Sequence, residues 1–209
     1  MKKVVKFGGS SLASAEQFRK VGSIIQADPE RRFVVPSSPG KRSRDDEKVT
    51  DMLYACYALA EEGSDFSEKL SAIRARYEEI IKGLSLKLSL EEEFQKIEEN
   101  FRNKAGKDYA ASRGEYLNGI VMAAYLKFPF IDAAEVIFFD EHGKFDDYKT
   151  DQVLSKRLEQ MDAAVIPGFY GSMPDGSVKT FSRGGSDITG SIVSRAVHAE
   201  VYDCLLYTS

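Results

Sequence analysis

Cysteine is almost missing from this sequence: Cys56 and Cys204 are the only two in 209 residues. They can build neither a disulfide framework nor a cysteine metal cluster. Histidine is equally sparse. His142 falls in a turn and His198 late in a helix, with no partner at metal-ligand or general-base spacing. No apolar run approaches the roughly 18 residues needed to span a bilayer, and the stretch after Met1-Lys2-Lys3 is broken at once by Lys6, unlike a signal peptide. Basic charge is not in excess either. Twenty-nine Lys and Arg against 33 Asp and Glu give a net charge of -4, no electrostatic basis for binding nucleic acid or an anionic membrane. Internal repeats and low-complexity tracts are also missing. What remains is a cytoplasmic protein by expectation, with 43% apolar and 30% charged residues and enough chain for one core.

The pattern of elements alternates. Val4, Val5 and Phe7 predict a short buried strand, and Ser14 with Gln17 predicts a capped helix ending near Ala27. Residues 33–37 read as a second strand with Pro36 near its end, and a helix follows from Lys48 toward Glu62. Over residues 61–104 interleaved charges surround a thin apolar stripe of Ile73, Tyr77, Ile80 and Ile81, then Phe94, Ile97 and Phe101. This predicts a helical hairpin, its second helix capped by Ser89 and Glu92, with a solvated face and no chemistry. A long helix is expected over 108–126, strand-like sequence at Ile131 and over 134–139, and a turn at His142-Gly143. Then come a helix over 151–160, a buried parallel strand at 163–166, a loop over 168–174, a strand over 178–181 and a helix over 186–199. The predicted fold class is α/β, a three-layer αβα sandwich with a mostly parallel central sheet.

Two loops carry the chemistry. Lys6-Phe7-Gly8-Gly9-Ser10-Ser11 follows the first strand, and Ser182-Arg183-Gly184-Gly185-Ser186-Asp187 opens the last helix. Paired glycines beside a cation and hydroxyls let backbone N–H groups and a helix N-terminus approach an anion. Two such junctions predict two anionic ligands brought together, as phosphoryl transfer requires. Lys6 is placed at the carboxyl end of its strand, where α/β proteins bind ligands; the plainer alternative is an edge-strand lysine reaching for water. Ser186 or Asp187 can instead simply cap the last helix. Arg183 beside the second glycine pair suits a bidentate grip on a carboxylate. On the long helix Ser112, Glu115 and Gly119 share a face, so Glu115 is either an ammonium ligand or a surface glutamate. Thr50-Asp51 either contacts substrate or caps its helix. The run Gly40 to Ser43 is not a Walker loop, because Val35 stands where the leading glycine belongs.

Together these motifs resemble the catalytic domain of the aspartate kinases, within the amino acid kinase family. Lys6 to Ser11 matches the N-terminal signature, Ser112-Arg113-Gly114-Glu115 the substrate-binding helix, and Ser182 to Asp187 the third motif; residues 34–37 and Lys48-Val49-Thr50-Asp51 also fit. Ser38, where the family often has alanine, is a minor departure. The resemblance implies ATP-dependent phosphorylation of the L-aspartate side-chain carboxylate, the first step toward lysine, threonine and methionine, with Mg²⁺ bound through the phosphates and no protein metal site. It implies Lys6 and Asp187 as catalytic residues, and Lys6, Gly8, Gly9, Ser10 and Ser186 against the phosphates. Ser37, Thr50, Glu115, Arg183 and Gly184 fall to the substrate, with Arg183 on the α-carboxylate and Glu115 on the α-ammonium. It further implies a homo-oligomeric full-length protein.

In that family the adenine and ribose loops, a second phosphate-facing lysine and regulatory ACT domains lie beyond this chain. The fold is therefore expected to be incomplete at the C-terminus, and the 209-residue chain to have little kinase activity of its own. Residues 204–209, which resemble a translated transposon-end sequencing adapter, are expected to be read-through rather than a native strand. Other acceptors (glutamate, N-acetylglutamate or carbamate) and a non-catalytic amino-acid-binding fragment remain the alternatives.

Overall fold

A computed structural model describes residues 2–182 and 184–205. Four parallel strands form the central sheet in the order β3-β2-β1-β6: β1 Lys3–Phe7, β2 Arg31–Pro36, β3 Ala164–Val165 and β6 Val201–Leu205. Alternation along β1 and β2 sends Val5, Phe7 and Val34 to one face and Val4, Phe33 and Val35 to the other, each into its own core. The first core is closed by α1 Ala15–Gln26, α2 Val49–Glu62, α3 Ser67–Gly83, α4 Glu91–Arg102 and α5 Lys107–Leu126. The second lies under α6 Ala133–Val136, α7 Asp147–Glu159 and α8 Gly185–Ala196. Three layers with a parallel sheet are the expected architecture. No helix among the described residues is long and apolar enough to cross a membrane.

Local signals explain most boundaries. Ser14 Oγ accepts from Gln17 N to start α1, and Pro36 is the last residue of β2, where its missing N–H costs least. The stripe residues of α3 and α4 are buried as the spacing requires. Helix α4 does not begin as predicted: its N-cap is Leu90 without a side-chain cap, and Ser89 Oγ accepts from Glu91 N instead.

Other expectations need correction. The strand predicted over 134–139 is partly a helix, because Asp132 Oδ1 accepts from Ala134 N and starts α6; only Phe138 and Phe139 make isolated bridges. Helix α7 starts before residue 151 because Asp146 caps it through Lys149 N. The expected loop over 168–174 contains β4 Tyr170–Ser172, which pairs antiparallel with β5 Val178–Thr180, outside the main sheet. Cys204 and Leu205 continue the β6 register opposite Lys6 and Phe7; residues 206–209 lie outside the described residues.

Candidate active site

The loops that matter leave the carboxyl ends of β1 and β2. After β1 the chain turns through a single 3-10 turn, Gly9–Leu12, and after β2 it runs through residues 37–40. These two segments touch backbone to backbone: Gly40 N donates to Gly9 O at 2.8 Å. A Cβ on Gly9 would lie 2.8 Å from Ser38 O, and one on Gly40 would lie 2.7 Å from Gly9 C. Glycine is needed here for close approach, and Gly8 has φ -74, so the first pair is not a left-handed turn. Gly8 N is directed at Leu205 O at 3.5 Å, a sheet contact rather than a free anion donor.

Lys6 belongs to the central part of the sheet, flanked by β2 and β6, and is 6% exposed, which removes the edge-lysine alternative. Alternation puts it on the face of Val4, toward α8. There its Nζ meets Asp187 Oδ1 at 2.9 Å, and the ammonium holds the Asp187 carboxyl below its ordinary pKa. Helix α8 is not capped by Ser186 or Asp187. Its N-cap is Gly184, left-handed at φ 59 with no side-chain cap, while Gly185 has no room for a Cβ, 2.6 Å from Phe169 Cδ2. Both polar side chains are thereby released for other contacts. Ser186 Oγ lies 3.3 Å from Glu115 Oε1 and donates to it.

Glu115 is the least expected feature. Helix α5 is buried on almost every side, so this carboxyl is in the interior rather than on the surface. Burial pushes its pKa up to about 8, against the opposing pull of the Ser38 backbone, Ser186 and Lys6. Its Oε2 is buried with no hydrogen-bond partner among the described residues. Gly114 beside it is required by Ser38, whose Cβ lies 2.9 Å from where a Gly114 Cβ would be.

A cleft of about 450 Å³ gathers Gly9, Ser10, Ser37, Thr50 and Glu115, together with Ser38, Gly40, Lys41 and Lys48. Thr50 is in the first turn of α2, whose N-cap is Lys48 without a side-chain cap, so capping is not the role of Thr50. A larger cavity lies between α6 and α7, but it lacks the motif residues. Lys6, Gly184, Ser186 and Asp187 are not part of the cleft lining; Ser186 reaches it from the α8 side through its bond to Glu115, and Asp187 next in the chain holds Lys6. Arg183, expected to hold the α-carboxylate, lies outside the described residues. His142 and His198 are not among the residues that line the cleft, and among the described residues no three His, Cys, Asp or Glu side chains group to hold a metal.

Sequence reasoning missed several supports. Asn118 is fully buried and donates from Nδ2 to Ser37 O at 2.6 Å; its spacing of three from Glu115 was the available signal. Tyr77, read as apolar stripe, donates to Gly114 O at 2.7 Å. Arg76 donates to Gly40 O at 2.9 Å and Glu47 O at 3.0 Å. The charged hairpin is therefore not without consequence: it buttresses the loop after β2. Arg113 is packed among Tyr109, Tyr116 and Tyr170, its guanidinium 4.2 Å from the Tyr116 ring centre.

Comparison with known proteins places this geometry. The chain is 39% identical over 216 residues to aspartokinase 3 of Bacillus subtilis, covering 96% of this chain and 47% of that one. A crystal structure of Clostridium acetobutylicum aspartate kinase superposes with TM-score 0.96 at 49% identity, over 100% of this chain and 48% of that chain. The structure of Escherichia coli aspartokinase III with aspartate and ADP gives TM-score 0.80 at 26% identity, over 98% of this chain and 48% of that chain. The chain thus spans about half the length of these relatives. A model of the amino acid kinase family matches residues 1–209, and to that family this chain belongs.

Proposed function

We propose that this chain supplies the amino-acid pocket and first phosphate loop of an ATP-dependent kinase that phosphorylates the side-chain carboxylate of L-aspartate. The observation that carries the reading is the convergence of three distant motifs: Glu115 of α5 meets Ser186 of α8, while Lys6 of β1 meets Asp187 one residue further on. The E. coli relative solved with aspartate and ADP supports it.

The acceptor carboxylate is already an anion, so the reaction needs no general base. Its obstacle is repulsion: two unit charges 4 Å apart at an effective dielectric of 20 cost about 4 kcal/mol. Lys6 offsets that repulsion on the phosphoryl side, and Asp187 fixes where its ammonium points. Mg²⁺ enters with ATP as part of the substrate and neutralises phosphate charge. Gly9, Ser10 and Ser186 flank the phosphoryl group. Ser37, Thr50 and Gly184 shape the amino-acid pocket, and Arg183 takes the α-carboxylate.

Glu115 is matched to a free α-ammonium. A buried carboxyl whose pKa is pushed to about 8 gains its full charge once a cation lies beside it. An N-acetylated amino acid brings no such cation, which disfavours N-acetylglutamate. The test is thermal melting of the 209-residue chain with each candidate acceptor. L-Aspartate should raise Tm in proportion to ln(1 + [L]/Kd) while N-acetylglutamate leaves it unchanged. The reverse ranking, or a flat response to aspartate, overturns the assignment.

A further inference from the structure

The segment after Gly40 is a loop with a closed neck. Val49 N donates to Pro39 O at 3.1 Å, and Gly40 N to Gly9 O at 2.8 Å. Arg76 grips both sides of that neck through Gly40 O and Glu47 O. Lys41 follows Gly40 and Lys48 precedes Val49, so the two lysines leave the neck side by side, and both line the cleft that holds Thr50 and Glu115. Of the loop's other charged residues, Arg42 and Asp46 are already paired, while Arg44, Asp45 and Glu47 do not line the cleft. Arg42 pairs with Asp46 at 2.9 Å and with Glu79 at 2.7 Å, and Arg76 pairs with Asp46 at 3.1 Å. Among the described residues Lys41 and Lys48 form no ion pair.

Resting on the kinase reading above, we propose that Lys41 and Lys48 form a polyphosphate subsite in the cleft, built on the loop clamped by Arg76. Two ammonium groups match an anion of two or more charges; a single carboxylate is neutralised by one. The neck is also joined to the loop after β1, next to Ser10, so the subsite adjoins the phosphate loop rather than Glu115's end alone. An ammonium is a compact charge with three rotatable donors, suited to phosphate oxygens without the fixed fork of arginine. The subsite supplies cationic charge from this half of the protein, independently of any group elsewhere.

The test is calorimetric titration of the 209-residue chain with inorganic pyrophosphate and, separately, with L-aspartate. The lysines are exposed, so K41Q/K48Q should fold, and its circular dichroism and melting curve are checked against the parent. The expected result is a pyrophosphate Kd at least about tenfold weaker in K41Q/K48Q, with recovery in K41R/K48R and aspartate affinity unchanged. Unchanged pyrophosphate affinity in the double variant overturns the subsite, as does a parent chain that binds no pyrophosphate. Loss of aspartate affinity with pyrophosphate binding retained also overturns it, assigning the lysines to the amino acid. A parent that binds pyrophosphate through these lysines but ignores aspartate upholds the subsite and refutes the aspartate reading instead.

Discussion

Lys6 and Asp187, 181 positions apart in the sequence, meet at 2.9 Å, but they share the contact unequally: the lysine side chain is 8% exposed and the aspartate 54%. Solvent screens the aspartate end, so Asp187→Asn should lower stability by less than about 1 kcal/mol in a urea melt. The Asp187 pKa is lowered in the folded state, so its contribution is present above the unfolded value and lost as pH falls through the folded one. The stability difference between parent and Asp187→Asn should therefore shrink in acid, as pH falls below the ordinary carboxylate value of 3.8 and through the lowered folded one. Lys6→Met should leave far-UV circular dichroism intact and weaken pyrophosphate binding about tenfold. Retention of full affinity in that variant would remove Lys6 from the phosphate site.

Glu115 should give the opposite pH dependence. Its folded pKa is raised from the ordinary 4.5 to about 8 by burial. Between those values the folded state holds a proton that the unfolded state has released, so stability falls as pH rises from about 4.5 to 8 and is flat above. Glu115→Gln should therefore match the parent near pH 4 and exceed it by roughly 2–4 kcal/mol at pH 9. The same substitution should abolish aspartate binding, since it removes the charge that the ammonium needs. In the parent, aspartate affinity should strengthen as pH rises toward 8. Denaturant melts and calorimetry across pH 4–9 check both slopes; a pH-independent difference would mean that Glu115 is ionised throughout.

Much of this was legible because it depends on local chemistry. Lys6 at the end of an apolar strand, the Ser14 to Gln17 cap and the apolar run at 163–166 each announce themselves within a few residues. Strand β4 did not, because it is three residues long, carries Gly171, and exists through its pairing with β5. That glycine is there for packing: a Cβ would lie 2.4 Å from Ile137 O. The burial of Glu115 was hidden for a different reason. Helix α5 is enclosed on nearly all sides, which erases the polar face that periodicity relies on. In Arg76 and Tyr77 the polar tip, not the stem, reaches the site, Arg76 at Gly40 O of the loop after β2 and Tyr77 at Gly114 O of α5, and spacing reports only the stem.

Steric need separates the glycines. Gly9→Ala and Gly40→Ala place a methyl 2.8 Å from Ser38 O and 2.7 Å from Gly9 C, against backbone that cannot step aside alone. Each should cost about 1–3 kcal/mol and displace the two loops, with loss of both aspartate and pyrophosphate binding. Gly184→Ala meets little, its nearest atom being Asp187 Oδ2 at 4.0 Å, but must hold φ 59. It should cost about 1 kcal/mol from backbone strain and spare the loop contact. Unchanged aspartate and pyrophosphate binding in Gly40→Ala would contradict the close-approach account.

Arg76 offers the sharpest test of the hairpin's role. Its side chain is 5% exposed, and it satisfies two loop carbonyls and the Asp46 carboxylate together. Asp46 is held well below the usual carboxylate range, by Arg42 first and by Arg76 as a lesser cause. Arg76→Met keeps the stem packed but leaves Gly40 O, Glu47 O and Asp46 without it, a loss of about 3 kcal/mol. Arg76→Lys restores the charge without the fork and should recover only part of this, because one ammonium cannot reach both sides of the neck in the same geometry. Amide exchange should accelerate at Gly40 and Val49 in both variants while the α5 amides stay protected, since the change opens the neck and not the core. If exchange rises equally throughout α5, Arg76 supports the whole domain and the loop clamp has no separate existence.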